Sequence, residues 1–212
     1  YLVDFKDILI SSRNKPINAV PQMIWGNKPV DGGHLIFTSE ERDAFIKLEP
    51  LSAKYFKHFQ GGQEFIQGKE RWCLWLVDVT PTDLRSMKYV MERIALVRET
   101  RLKSSDIGAR KLAEKPSQFR DVLNPKTYIA IPEVSSERRK YIPIGFLTQD
   151  TIASNKLQMI PEAHIWHFGI LTSIMHMTWM RYTCGRLKSD YSYSNSIVYN
   201  NFPWPENPSE KQ

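Results

Sequence analysis

Between Pro125 and His167 the sequence is cut into short runs, at 127–131, 140–146, 151–153, 157–160 and 164–167, separated by turn residues. Pieces this short are poor helices on their own but suit strands, so this part of the chain is expected to be β structure paired over long sequence separations. The part before it behaves differently. Thr80 is placed to cap a helix, Pro81 stands where a missing N–H is harmless, and Leu84, Met87, Met91, Ile94 and Val97 recur at spacings of three and four, which predicts an amphipathic helix over 81–103. The two textures together define an α+β fold, with mixed and antiparallel β segments and packed helices.

Smaller signals fill in the rest. A short apolar run predicts a strand at 8–11, the Pro-, Gly- and Asn-rich stretch 14–33 predicts turns and loop, and DGGHLIF at 31–37 predicts a turn feeding a strand. Thr38 followed three residues later by Glu41 forms a capping box, so a helix is expected over 39–48, ended by Pro50. Gly61 and Gly62 mark a turn, 64–67 is expected as a short strand, and the apolar, aromatic run 72–77 as a buried central strand. A second helical piece is expected at 107–114, before Pro116, and the Met-rich stretch 169–183 as a largely buried helix. On the long helix, Lys88, Glu92, Arg93, Arg98 and Arg101 form the other face, which reads as solvated surface, with phosphate contact as the rarer alternative.

The segment 185–205, GRLKSDYSYSNSIVYNNFPWP, is the least core-like stretch. If it is extended, Lys188 and Asp190 point the same way, because side chains repeat with period 2 along a strand. A Lys suits the O6 and N7 acceptors of guanine and an Asp accepts from the N4 amino group of cytosine, so the pair has the chemistry to read both halves of one G·C pair. The same residues also fit an exposed ion pair of little consequence. Tyr191, Tyr193, Tyr199, Phe202 and Trp204 either stack on a base or anchor the segment to the domain, and anchoring is the commoner use in a duplex reader.

Charge narrows the partners. Lys and Arg number 29 against 23 Asp and Glu, and the net charge of +6 favours an anionic partner, nucleic acid above all. The two cysteines, Cys73 and Cys184, belong to no CxxC pattern, which disfavours a zinc knuckle and fits a reducing, cytoplasmic setting. No apolar leader is visible, and the longest apolar stretch is broken by Thr172, Ser173, His176 and Thr178, so neither secretion nor a membrane partner is expected. Because it opens on Tyr1 rather than Met, the sequence is read as a piece of a longer polypeptide. GxSxG, HExxH and P-loop patterns are absent, and the Asp4-Phe5-Lys6 triplet is of a kind common by chance. His164 and His167 lack a thiol partner at ligand spacing and read as structural, so no catalytic or metal site is expected.

Five blocks carry a resemblance: GRLKSDY with NSIVYNNFPWP at 185–205, KP then VPxMxxGNxPxDGG at 15–33, EFIxGKxRWCLWL at 64–76, SSERRxYIPxGFL at 135–147 and HFGxLxSxMHMxW at 167–179. In this order they resemble the target recognition domain of the Type IIL restriction-modification enzymes, the MmeI group, and their adenine-methylating relatives. The resemblance spans nearly the whole chain. It implies that 1–168 form the target recognition domain and that 169–212, the Met-rich helix with a base-reading loop, belong to the same module. It also implies sequence-specific recognition of double-stranded DNA for a methyltransferase domain of the same polypeptide, which would take S-adenosylmethionine and methylate adenine at N6, with Mg needed if a nuclease is fused. The Asn/Asp-Pro-Pro-aromatic loop of such methyltransferases is missing, since Asn124 and Asn207 precede a single Pro. The fragment is therefore expected to bind no cofactor and catalyse nothing.

The resemblance further implies that pairs of positions each read one base pair: Glu133 with Asn155, Lys156 with Ser192, and Lys188 with Asp190. Glu133 accepts from cytosine N4 and Asn155 offers an amide, which suits C·G, while Lys156 favours guanine. Ser192 departs from the pattern, where relatives carry Arg, and its short hydroxyl is an ambivalent partner. Arg138, Arg139 and Lys140 read as a phosphate clamp, with Arg181 and Arg186 as second candidates, plain surface charge being the alternative for each. The rival readings are a structural or protein-interaction domain whose Met-rich helix docks on a partner, and an RNA-binding module.

Overall fold

The computed structural model describes residues 9–205. The Asp4-Phe5-Lys6 triplet and the first residue of the strand expected at 8–11 lie outside them, and residues 9–11 are irregular. In chain order the first elements are β1 (Ile24–Trp25), β2 (Ile36–Phe37), α1 (Ser39–Leu48), a 3-10 turn Pro50–Tyr55, β3 (Phe56–Gln60), α2 (Gly62–Gln67) and β4 (Trp72–Leu74). Then come α3 (Pro81–Ser86), α4 (Lys88–Leu102) and α5 (Ile107–Lys111). The β-rich part holds β5 (Thr127–Pro132), β6 (Val134–Ser135), β7 (Gly145–Thr148), β8 (Thr151–Ala153) and β9 (Leu157–Pro161). After α6 (Ile165–Leu171) and α7 (Ile174–Thr183), the chain closes with the hairpin β10 (Gly185–Leu187) and β11 (Asp190–Ser192) and a single π-helical turn, Asn195–Tyr199.

Three sheets result, and the α+β expectation holds. One runs β1-β9-β5-β7 with antiparallel neighbours, one runs β2-β4-β3-β8 with β3 and β8 parallel, and the third is β10-β11-β6. Two large hydrophobic clusters and a smaller one around Tyr128, Ala130 and Leu157 hold them. In one large cluster, Leu35, Phe37, Phe45 and Leu74 pack on Met87, Val90, Ile94 and Val97 of the helical part. In the other, Met23, Ile129 and Ile160 pack on Leu171, Met177, Met180 and the aromatic residues near the end of the chain. The final segments therefore share a core with the β-rich part.

The capping signals are accurate. Glu41 N–H donates to Thr38 Oγ1 and Thr38 N–H to Glu41 Oε2, and α1 begins at Ser39 as expected. The helix expected over 81–103 is instead two helices. Met87 leaves helical geometry between α3 and α4 (φ −98, ψ 86) and is fully buried, a break that no proline or glycine announces. The buried stripe of α4 accordingly runs Val90, Ile94, Val97, Arg101, and Met91 is exposed. Arg101 is thus not on a solvated face. Its guanidinium donates to the backbone carbonyls of Val30, Leu112, Lys115, Pro29 and Gln118.

Other expectations change with local capping. The short strand expected at 64–67 belongs to α2: Glu64 Oε2 accepts from Gly61 N–H at 2.8 Å and Gly68 ends the helix at φ 65. The run 164–167 opens α6, His167 Nδ1 accepting from His164 N–H at 3.0 Å. The single helix expected over 169–183 is split at Ser173, whose hydroxyl accepts from His176 N–H and starts α7. Of the run 140–146, only the end becomes strand, as part of β7. β3, unmarked by alternation, pairs with both β4 and β8.

Candidate nucleic-acid interface

Three stretches distant in sequence are laced together by backbone hydrogen bonds. β11 pairs with β6 through Tyr191 with Ser135 and Ser192 with Val134, and Tyr193 N–H extends the ladder to Glu133 O at 2.8 Å. Glu133 N–H in turn donates to Lys156 O at 3.1 Å. Glu133, Lys156 and Asp190 then line one cleft of about 700 Å³. Ser192 is paired with the cleft-lining Val134, and Asn155 directly precedes Lys156, so both stand beside it. Lys188 is exposed at the hairpin tip, between the cleft-lining Leu187 and Asp190. Three of the six residues expected to read bases therefore line one concavity, and the other three adjoin lining residues along the chain or across the ladder.

Their partnerships differ from the expected ones. Lys156 Nζ lies 2.9 Å from Glu133 Oε2, joining one member of the first expected pair to one of the second. In this ion pair the lysine is well exposed, which leaves it cheap to break. Lys188 and Asp190 do not share a strand face as period 2 supposed. Leu187 pairs with Asp190, making Lys188 and Ser189 a two-residue turn, and Lys188 alone is left-handed, at φ 57, the sign pattern of a type II′ turn. The two are not paired with each other either, for Asp190 Oδ1 accepts from Glu137 N–H at 3.3 Å.

Arg138, Arg139 and Lys140 are exposed on the loop after β6, and Arg139 reaches the cleft. The two second-choice clamps have work inside the fold. Arg181 donates to Lys140 O at 3.1 Å and so steadies that loop, while Arg186 donates to Ser189 O and lies 4.3 Å from the centre of the Tyr191 ring. Both guanidiniums keep further donors for a phosphate. The cleft lining itself is balanced in charge, Glu64, Glu133 and Asp190 against Arg71, Arg139 and Lys156. Charged acceptors and donors of both signs thus line the cleft, and further positive charge is carried by the exposed Arg138, Lys140 and Lys188.

The residues that hold this arrangement escape sequence reading. Asn27 is fully buried, and its side-chain amide donates to Leu123 O and Ala153 O while its carbonyl oxygen accepts from Leu123 N–H. Its backbone carbonyl accepts from Asn155 N–H at 2.9 Å, fixing the loop that presents Asn155 and Lys156. Gly26 permits the approach, since a Cβ there would stand 2.2 Å from Ser154 O. The Gly-Asn step in the block at 15–33 is the available signal. Behind the hairpin, buried Gln158 donates to Tyr193 O, and His176 Nε2 meets Tyr193 Oη at 3.0 Å. Burial lowers His176 to about 4 and raises Tyr193 well above the usual phenol value, so both are neutral structural groups at pH 7.

Tyr191, Tyr193, Tyr199, Phe202 and Trp204 are all buried and anchor the segment, with Tyr199 Oη donating to Pro21 O at 2.6 Å. α2, with Arg71 bound to Glu64 at 3.3 Å, also lines the cleft, a part of the site that the block at 64–76 covers without indicating its role. Cys73 is fully buried and burial pushes its thiol up, which removes it as a nucleophile. Among the described residues no cluster of three or more His, Cys, Asp or Glu could hold a metal ion, and no helix is long and apolar enough to cross a membrane.

The family described as "MmeI, target recognition domain" matches residues 4–206. DNA methyltransferase A of Bacillus subtilis (strain 168) is 47% identical over 207 residues, which are 97% of this chain and 24% of that protein. A solved structure of the Type IIL restriction-modification enzyme MmeI in complex with DNA superposes with a TM-score of 0.94 at 47% identity, over 99% of this chain and 28% of the other. The chain thus spans about a quarter of the length of these relatives.

Proposed function

Since the chain belongs to the family of MmeI target recognition domains, we propose that its cleft reads the major groove of double-stranded DNA through Glu133, Asn155, Lys156, Lys188, Asp190 and Ser192. The observation that carries this reading is the convergence of three distant stretches, 133–136, 155–156 and 187–192, on one concavity. Each element of that surface has donor or acceptor chemistry suited to a base edge. The Glu133–Lys156 ion pair serves as a placeholder in the free protein. When DNA enters, Lys156 turns to a guanine and Glu133 to a cytosine amino group, each exchanging one charge-assisted hydrogen bond for another.

Arg138, Arg139 and Lys140 hold phosphates and fix register, and Arg181 and Arg186 support the loop and the turn that carry the contacts. In this reading the domain positions DNA for a methyltransferase domain of the same polypeptide. That domain would use S-adenosylmethionine to methylate adenine at N6, with flipping of the adenine and the chemistry both residing there. A fused nuclease using Mg, and a cytoplasmic location, belong to the same proposal.

The test is a charge swap in the full-length protein, Lys188→Glu together with Asp190→Arg. The base preferred at one position should change while methyl transfer continues, because only the reader is altered. An unchanged methylated motif would remove these residues from the readout.

A further inference from the structure

Besides Glu133, Lys156 and Asp190, the cleft is lined by residues of α2 that have been given no part in base reading. Gln63 and Gln67 stand four apart on that helix, hence on one face, and both are exposed and line the cleft. Among the described residues neither side chain takes part in a hydrogen bond or ion pair, whereas Glu64 between them is committed to Gly61 N–H and Arg71.

The helix is fixed relative to the readers. A Cβ added at Gly62 would lie 3.3 Å from Lys156 O and 3.6 Å from Pro132 Cβ, so its first turn rests on the backbone that carries Lys156 and adjoins Glu133. Phe65 packs on the small core of Tyr128, Ala130 and Leu157 beneath. Two amides without a partner among the described residues are thus held on a packed support, in the same cleft as Glu133 and Lys156.

We propose that Gln63 and Gln67 form a further specificity-determining pair that reads an A·T base pair at a position distinct from those read by the other three pairs. The primary amide of Gln offers one donor and one acceptor side by side, the pattern that matches N7 and N6 of adenine in the major groove. It is uncharged, so it adds sequence information without adding to the salt dependence of binding. This inference rests on the DNA-reading function proposed for the cleft.

The experiment uses the full-length protein with Gln63→Ala, Gln67→Ala, the double variant and Gln67→Arg. Methyl transfer and binding are measured on duplexes varied one position at a time, with the Lys188→Glu, Asp190→Arg swap alongside. The alanine variants should lose discrimination by roughly tenfold at one position that the swap leaves untouched. Gln67→Arg should shift that position toward G·C, since Arg pairs with guanine O6 and N7. Preferences unchanged at every position, or binding weakened equally for all duplexes, would overturn the proposal. If the swap moves the motif and the Gln variants do not, only this inference fails. If neither does, the reading of the cleft fails with it.

Discussion

The guanidinium of Arg101 places all five of its N–H donors on backbone carbonyls, of Val30, Pro29, Leu112, Lys115 and Gln118, while its side chain is buried. Each carbonyl left without a donor costs about 1–3 kcal/mol, so Arg101→Met should destabilise the domain by at least ~3 kcal/mol in urea or thermal unfolding. Arg101→Lys should not restore it, because an ammonium has three donors and no planar fork. His176 carries a pH dependence. Buried and lowered to about 4 from an ordinary 6.5, it is neutral when folded, so its contribution is complete above pH 6.5. As pH falls from 6.5 toward 4 the unfolded chain takes the proton first, and up to ~3 kcal/mol of stability is lost. His176→Gln should flatten most of that slope, the remainder belonging to His167, which burial also lowers, and near pH 4 to Glu99 and Asp83, held low by their hydrogen bonds to Lys103 and Lys54. A stability profile of the variant identical to that of the parent would contradict this account.

Short elements are held here by their ends. The hairpin of β10 and β11 turns on Lys188, a residue with a side chain in the left-handed region, which costs about 1–2 kcal/mol where glycine would cost little. Lys188→Gly should therefore leave thermal stability unchanged or raised by up to ~1 kcal/mol, while discrimination at one base pair falls. A loss of stability would mean that Lys188 is a structural residue and not one kept for its ammonium. α1 and α2 are legible in different degrees for a related reason. The Thr38–Glu41 box lies within the pattern hydroxyl, two residues, carboxylate, whereas α2 is started by Gly61 with Glu64 and reads as a turn until the carboxylate is seen on the glycine N–H. The break at Met87 leaves no such trace, since no proline or glycine marks it and the side chain there is buried.

The assembled domain places its proposed readers at a cleft balanced in charge, with exposed basic residues on the adjoining loop and turn. Neutralising Arg138 and Arg139 in the full-length protein should weaken DNA binding about equally for all sequences and reduce the salt slope by up to ~0.9 for each phosphate no longer neutralised. A slope that did not move would place them outside the interface. Local chemistry determined the α+β texture, the capping box of α1, the strands β5, β8 and β9 to within a residue or two, and the donor and acceptor character of Lys188 and Asp190. Each depends on neighbours a few positions away, so one sequence suffices to state it. Packing decided that Arg101 turns inward, that Lys156 meets Glu133, that Asn27 holds the loop of Asn155, and that α2 lines the same cleft as Glu133 and Lys156. Lys156 and Glu133 are 23 positions apart, Arg101 and Pro29 are 72, and Asn27 and Leu123 are 96, and a pattern of local propensities carries no term for such pairs. Only the closing of three sheets around their shared cores brings the partners within hydrogen-bonding distance.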